Sequence, residues 1–211
     1  MPTKAELVAE IGAVLRKVGA KYALAGTRDK HYGIWIFSLA FDEGRSGRGA
    51  LLQGLRPGPE AVFRGKPSDL DSRTTYTYAQ AQGARRDWEI HVDVNMLGVS
   101  GETHGVDVSV IPARSVDEAS TSGRSPRLSR NGLGVEAKCF GSKITPNEGR
   151  VTLGFQLELE SVFWLVATTS NAAAEAMLRT PGRKTGFFGD ASPRSPTEAE
   201  LRRAFIAHLN R

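Results

Sequence analysis

Residues 88–97, WEIHVDVNML, alternate apolar and polar side chains without a break. Successive side chains of a strand point to opposite faces. Trp88, Ile90, Val92, Val94 and Met96 therefore share one face, and Glu89, His91, Asp93 and Asn95 share the other. A strand of this kind is half-buried and needs neighbours to satisfy its backbone. The sequence supplies them on both sides. TTYTYAQAQ (74–82) precedes it across the turn GARRD, and VDVSVIP (106–112) follows the turn LGVSGETHG. In the latter, Val106, Val108 and Val110 lie on one face, with Asp107, Ser109 and Ile111 on the other. The chain is thus committed to a β-sheet.

Helices are signalled around that sheet. Thr3 and Glu6 spell a capping box ahead of Leu7, Val8, Ile11, Val14, Leu15 and Val18 at helical spacing, and Gly19 ends the run. HYGIWIFSLAFDEG (31–44) suits a strand by its aromatics and a buried helix by its length; we read it as helix. Residues 44–73 are rich in Gly, Pro and Arg, with a short strand expected at 61–65. Residues 113–132 carry almost no apolar side chains and read as a long mobile loop. Thr145, Pro146 and Glu148 open a helix running to about Glu160. A buried strand, SVFWLVATT (161–169), comes next, then a helix over 171–179. A Gly/Pro/Arg connector spans 180–196, and Ser195 caps a last helix with the stripe Leu201, Phe205 and Leu209. These elements predict an α/β fold, a mixed central sheet flanked by helices. We expect one domain over 1–211, with its core at about 74–170 and helical additions at both ends.

Composition narrows the classes. The 211 residues suffice for a real core. No apolar run reaches the ~18 residues of a membrane span. The amphipathic start, with its acids, does not read as a signal peptide. A single cysteine excludes a disulfide framework and a cysteine zinc cluster. A cytoplasmic protein with no membrane association is expected. The net charge of +5 and isoelectric point near 9.6 permit a polyanionic partner.

The chemistry centres on VEAKCF (135–140). In a strand Glu136 and Lys138 share one face, while Val135, Ala137 and Cys139 share the other. Two charges on a core strand are costly unless something uses them. Asp107 can lie on that same face if its strand is the neighbour. Two converging carboxylates make a hard oxygen site suited to Mg²⁺ or Mn²⁺. A lysine beside them can orient a water or stabilise developing phosphate charge. An acid-x-Lys triplet arises easily by chance, and the context decides: an apolar strand, an aspartate-bearing strand before it, a helix and a buried strand after it.

With Asp107 in GVDVSVIP (105–112) and Glu136 and Lys138 in VEAKC (135–139), the chain resembles the PD-(D/E)xK nuclease superfamily, the restriction-endonuclease-like fold. The helix and strand of 146–169 fit that family's order of elements, and the resemblance covers roughly residues 74–170. The family's proline is absent, Val106 standing before Asp107. The resemblance implies an Mg²⁺-dependent nuclease with Mg²⁺ (or Mn²⁺) held by Asp107, Glu136 and the Ala137 carbonyl. It implies that Lys138 positions the attacking water, that cleavage leaves a 5′-phosphate, and that Gln156 is the candidate polar residue on the following helix. An acid from the helix before the sheet is also implied, with Glu10, Asp42 and Glu43 all open. DNA is the expected nucleic-acid partner, in a restriction or defence setting, and cutting both strands calls for a homodimer. The alternative is a non-catalytic nucleic-acid-binding or assembly module on the same fold.

Four further residues are candidates for substrate contact. His91 and Asp93 extend the polar row of their strand, although such a row is commonly the wet side of a sheet. Arg124 and Arg127 sit in a loop springing from the two site strands and suit a phosphate backbone. His104 reads as a turn residue. Cys139 reads as core, since no base is evident beside it. RKTGFFG (183–189) lacks the Gly-Lys pair and preceding strand of a phosphate loop.

Overall fold

A computed structural model describes residues 1–22, 26–55, 58–70, 75–139 and 143–211, with Arg48 described in its main chain only. The elements in chain order are α1 (Lys4–Arg16), β1 (Lys21–Tyr22), α2 (Arg28–Arg48), β2 (Leu51–Gln53), β3 (Glu60–Ala61), β4 (Tyr78–Gln82), β5 (Asp87–Leu97) and β6 (Thr103–Pro112). There follow α3 (Ala113–Ser122), β7 (Leu133–Lys138), α4 (Pro146–Glu158), β8 (Val162–Ala167), α5 (Ala172–Leu178), β9 (Thr185–Phe188) and α6 (Pro196–Leu209). The protein is α/β, a mixed sheet flanked by helices. Seven strands run in the order β2-β4-β5-β6-β7-β8-β9, and β1 and β3 pair separately. β2 to β7 are antiparallel, and β7, β8 and β9 are parallel. The switch follows from the connections. Short turns join β4 to β5 and β5 to β6 as antiparallel neighbours, α3 lies in the longer β6–β7 connection, and α4 and α5 are the crossovers that parallel strands require.

Alternation along β8 divides the core into two faces. Val162, Trp164 and Val166 join the large cluster with α1, α2 and α6. Phe163 belongs to a second cluster that includes Val116 of α3 and Leu159. Leu165 and Ala167 pack with Ala174 and Leu178 of α5. Trp35, Trp88 and Trp164 all lie in the large cluster. A network of ion pairs fastens its helices: Arg202 of α6 reaches Asp42 and Glu43 of α2, and Lys17 after α1 holds Asp42 at 2.9 Å. Among the described residues no helix is long and apolar enough to cross a membrane.

The capping boxes at Thr3 and Thr145 and the cap at Ser195 form as expected, and residues 31–44 are helical within α2. Several expectations need correction. Residues 113–132 are not one long loop, because α3 forms over Ala113–Ser122. Two small apolar side chains, Val116 and Ala119, suffice to seat it on the sheet. The 180–196 connector contains the edge strand β9, whose Phe187 is buried. The polar row of β5 is not its wet side: Glu89, His91 and Asp93 are each 1% exposed. Of the expected 74–82 strand only Tyr78–Gln82 forms as β4, and Thr74 and Phe140 lie outside the described residues.

β5 also breaks its own alternation. Asp93 adopts φ 52°, in the left-handed region that is uncommon for a residue with a side chain. Trp88, Ile90 and Val92 lie in the large cluster, but Val94 and Met96 lie in the second. β6 follows, with Val108 in the first and Val106 in the second. The paired ribbon turns over at Asp93 and Asp107.

β7 reaches its depth in the sheet through Gly134. A Cβ there would lie 2.3 Å from the Phe163 ring and 3.1 Å from Leu128. Gly134→Ala is expected to destabilise the fold by ~1–3 kcal/mol through overpacking, read as a lower denaturant midpoint at unchanged slope.

Candidate metal and phosphate site

The site forms where β6 and β7 part. Their recorded pairs end at Val108↔Val135. One step further Asp107 and Glu136 stand opposite each other, on the same face. There the ladder gives way to a side chain: the Ala137 N–H donates to Asp107 Oδ2 at 2.8 Å. Lys138, two residues beyond Glu136 and on its face, forms an ion pair with Glu136. β8 supports this strand end, as Thr168 N–H donates to the Lys138 carbonyl at 3.0 Å. Asp107, Glu136 and Lys138 are half-buried and so remain open to solvent. The sheet therefore brings together the three residues expected to carry the chemistry.

Asp93 extends the row. The pairs Val92↔Val108 and Val94↔Val106 bracket Asp93 and Asp107, which therefore stand opposite one another. Lys30 of α2 donates to both Asp93 oxygens at 2.7 Å. Arg28, two residues earlier, donates to the Cys139 carbonyl at 3.2 Å. The start of α2 is thus fastened to the middle of β5 and to the residue that follows β7.

The electrostatics follow from burial. Desolvation raises the proton affinity of Asp107 above the ordinary aspartate value; the Ala137 N–H, Lys138 and Lys30 oppose it, and Asp29 adds to it. Desolvation raises Glu136 likewise, and the Asp107 charge raises it further against the pull of Lys138. Asp93 is raised by burial, with Lys30 opposing. Burial alone would lower Lys138, but Glu136 outweighs it and the net shift is upward. Lys138 therefore stays an ammonium at neutral pH.

The other candidates fall elsewhere. Gln156 lies eight residues beyond Glu148 on α4, about 12 Å along the helix at 1.5 Å per residue. It is Glu148, at the helix start, whose charge acts on Lys138. His91 Nε2 and Glu89 Oε2 meet at 2.9 Å in the sheet interior, with the Tyr78 ring stacked on His91. Arg124 and Arg127 line a groove with Leu97 and Glu118, and Leu97 is about 13 Å along β5 from Asp93 at 3.3 Å per residue. His104 lies in β6 against Phe155, 3.5 Å from Glu158. Cys139 is buried in the large core cluster. Of the acids open for the preceding helix, Glu10 pairs with Arg194, and Asp42 and Glu43 pair with Arg202. The acid of α2 whose charge reaches Asp107 is Asp29, exposed in its first turn. Asp29 and Lys30 were missed in the sequence because the helix was begun at His31; the cap residue Thr27 was the available signal.

The donor set suits a hard divalent cation: two carboxylates that burden each other, and the Ala137 main chain between Glu136 and Lys138. Among the described residues no group of three or more His, Cys, Asp and Glu side chains is arranged to hold a metal ion. Protein ligation would thus rest on the two carboxylates with main-chain and water oxygens. No family model, curated protein or solved structure matches the chain.

A carboxylate with raised proton affinity in the folded state contributes stability at low pH. That contribution declines as pH climbs from the ordinary value, 3.8 for aspartate and 4.5 for glutamate, through the raised one. Asp107→Asn keeps an acceptor for the Ala137 N–H and removes the repulsion. Without divalent cation, its thermal midpoint is expected to exceed the parent's at about pH 7 and to converge with it near pH 4. Parallel melting curves across that range would contradict the mutual burden of Asp107 and Glu136.

Proposed function

We propose that this chain is a metal-dependent phosphodiester hydrolase of the restriction-endonuclease-like kind, acting on DNA. The observation that carries the reading is the meeting of Asp107 and Glu136 at the fork of β6 and β7, with Lys138 held against Glu136. The succession of the two site strands β6 and β7, the helix α4 and the strand β8 also agrees with the family's order of elements.

Asp107, Glu136 and the Ala137 carbonyl would hold Mg²⁺ or Mn²⁺. Such an ion lowers the pKa of a bound water and neutralises phosphoryl oxygens. Glu136 fixes the Lys138 side chain, which would otherwise lose rotamer entropy on engaging substrate. As a protonated group, Lys138 is a donor. It can orient a water by its oxygen and stabilise charge on the scissile phosphate, and it does not serve as the base. The Ala137 N–H holds one oxygen of Asp107, and the other would be the one offered to the ion.

The occupation of Lys138 by Glu136, and the lack of a third acidic or imidazole ligand among the described residues, favour one second reading: a non-catalytic nucleic-acid-binding module on the same fold. Incubation with plasmid DNA and with RNA in Mg²⁺ or Mn²⁺ separates the two. Cleavage of DNA is expected, with Lys138→Ala slower by ~10²–10³-fold, the cost of removing one donor aimed at developing charge. Full activity in Lys138→Ala would remove the lysine from the reaction. Calorimetric Mn²⁺ binding lost in Asp107→Ala would favour the enzyme; absence of cleavage by the parent, with no Mn²⁺ binding that depends on Asp107, would favour the module.

A further inference from the structure

Beside the carboxylate row lies a cavity of about 300 Å³, walled by Tyr22, Ile34, Phe63 and Gly65 and bordered by Lys30 and Arg64. Its volume stands at the small end of ligand pockets, which span roughly 300–1,000 Å³. The walls are apolar and aromatic. Phe63 meets Tyr22 edge-on at 6.1 Å and Phe37 at 5.0 Å, so its ring is braced from behind. Lys30 holds Asp93, and Arg64, which donates to Ser68 Oγ at 3.0 Å and lies over the Tyr76 ring, adds a charge that also acts on that carboxylate. Two of the three ammonium donors of Lys30 are engaged by Asp93, which leaves a third for a ligand.

The chemistry of this cavity is that of a flat, largely apolar body bearing an anion on its Lys30 side. We propose that it receives one unpaired base of a nucleic-acid strand, with the adjoining phosphate at Lys30 and Arg64. Aromatic walls accept any base through its π-face, and the two cations supply charge complementarity to the phosphate. Lys30 belongs both to the cavity and, through Asp93, to the row containing Asp107. A base seated here would belong to a nucleotide close to the phosphodiester at Asp107 and Glu136. The substrate would then be single-stranded or locally unpaired at the cleavage point. This rests on the phosphodiester reading of the neighbouring site, but the cavity can be tested without cleavage or metal.

Phe63 supplies the variant. It lines the cavity and is half-buried, so Phe63→Ala removes an aromatic wall. Titration of the full protein with the four 2′-deoxynucleoside 5′-monophosphates, followed by amide NMR, is expected to shift the Gly26, Thr27 and Gly65 signals saturably for at least one of them. The baseless 2-deoxyribose 5-phosphate should bind at least ~10-fold more weakly, a difference of ~1.4 kcal/mol. Phe63→Ala, checked for an unchanged spectrum elsewhere, should weaken the nucleotide by a similar factor, whereas Arg114→Ala, exposed on α3, should bind it as the parent does. Saturation by none of the four, equal binding of the baseless compound, or undiminished binding by Phe63→Ala would overturn the proposal. Nucleotide binding by the parent without any Mn²⁺ binding would leave the cavity standing and count against the metal site alone.

Discussion

The hydrogen bond from the Ala137 N–H to Asp107 is the contact on which the site depends. Two antiparallel strands that separate must leave backbone donors behind, and a buried donor without an acceptor costs ~1–3 kcal/mol. Here a carboxylate satisfies the donor at the parting. The same contact fixes how far β6 and β7 diverge, and so how closely Asp107 and Glu136 approach. Burial then does the rest. It makes both carboxylates reluctant to ionise together, and it leaves them with a standing demand for positive charge, met in part by Lys138 and Lys30.

The surrounding fold serves that geometry. Gly134 lets β7 lie against Phe163, β8 holds its far end, and α2 is pinned to β5 and to Cys139 by Lys30 and Arg28. The left-handed turn at Asp93 is the least favourable backbone state in the row, and it persists because a doubly hydrogen-bonded ammonium holds the side chain. It redirects the β5–β6 ribbon so that Val94 and Val106 enter a different part of the core from Val92 and Val108.

Much of this was legible in the sequence because it is written in local periods. The alternation of 88–92, the capping boxes at Thr3 and Thr145, and the acid-x-Lys spacing of 136–138 each specify geometry over a few residues; the shared face expected for Val94 and Met96 is lost at Asp93. Asp107 could be placed on the right face because period two carries across a sheet. Other features depend on contacts far apart in the chain. α3 is seated by Val116 and Ala119 on strands formed elsewhere, so its own composition looks like loop. β9 is a strand only because β8 offers it an edge. Burial of Glu89 and His91 depends on the layer above them, and a polar row in a pattern does not disclose that layer. Lys30 reaches Asp93 across 63 positions of chain, a separation that no local rule spans.

All three tryptophans sit on the same side of the sheet, within the layer formed with α1, α2 and α6. Their indole emission therefore senses the integrity of that layer. Trp164 and Trp88 have His208 beside them, its imidazole held neutral by burial with a pKa pushed down to about 4. Acidification would charge that ring between two fluorophores and quench them, giving the protein an optical signature of its hidden face while the carboxylate row stays dark.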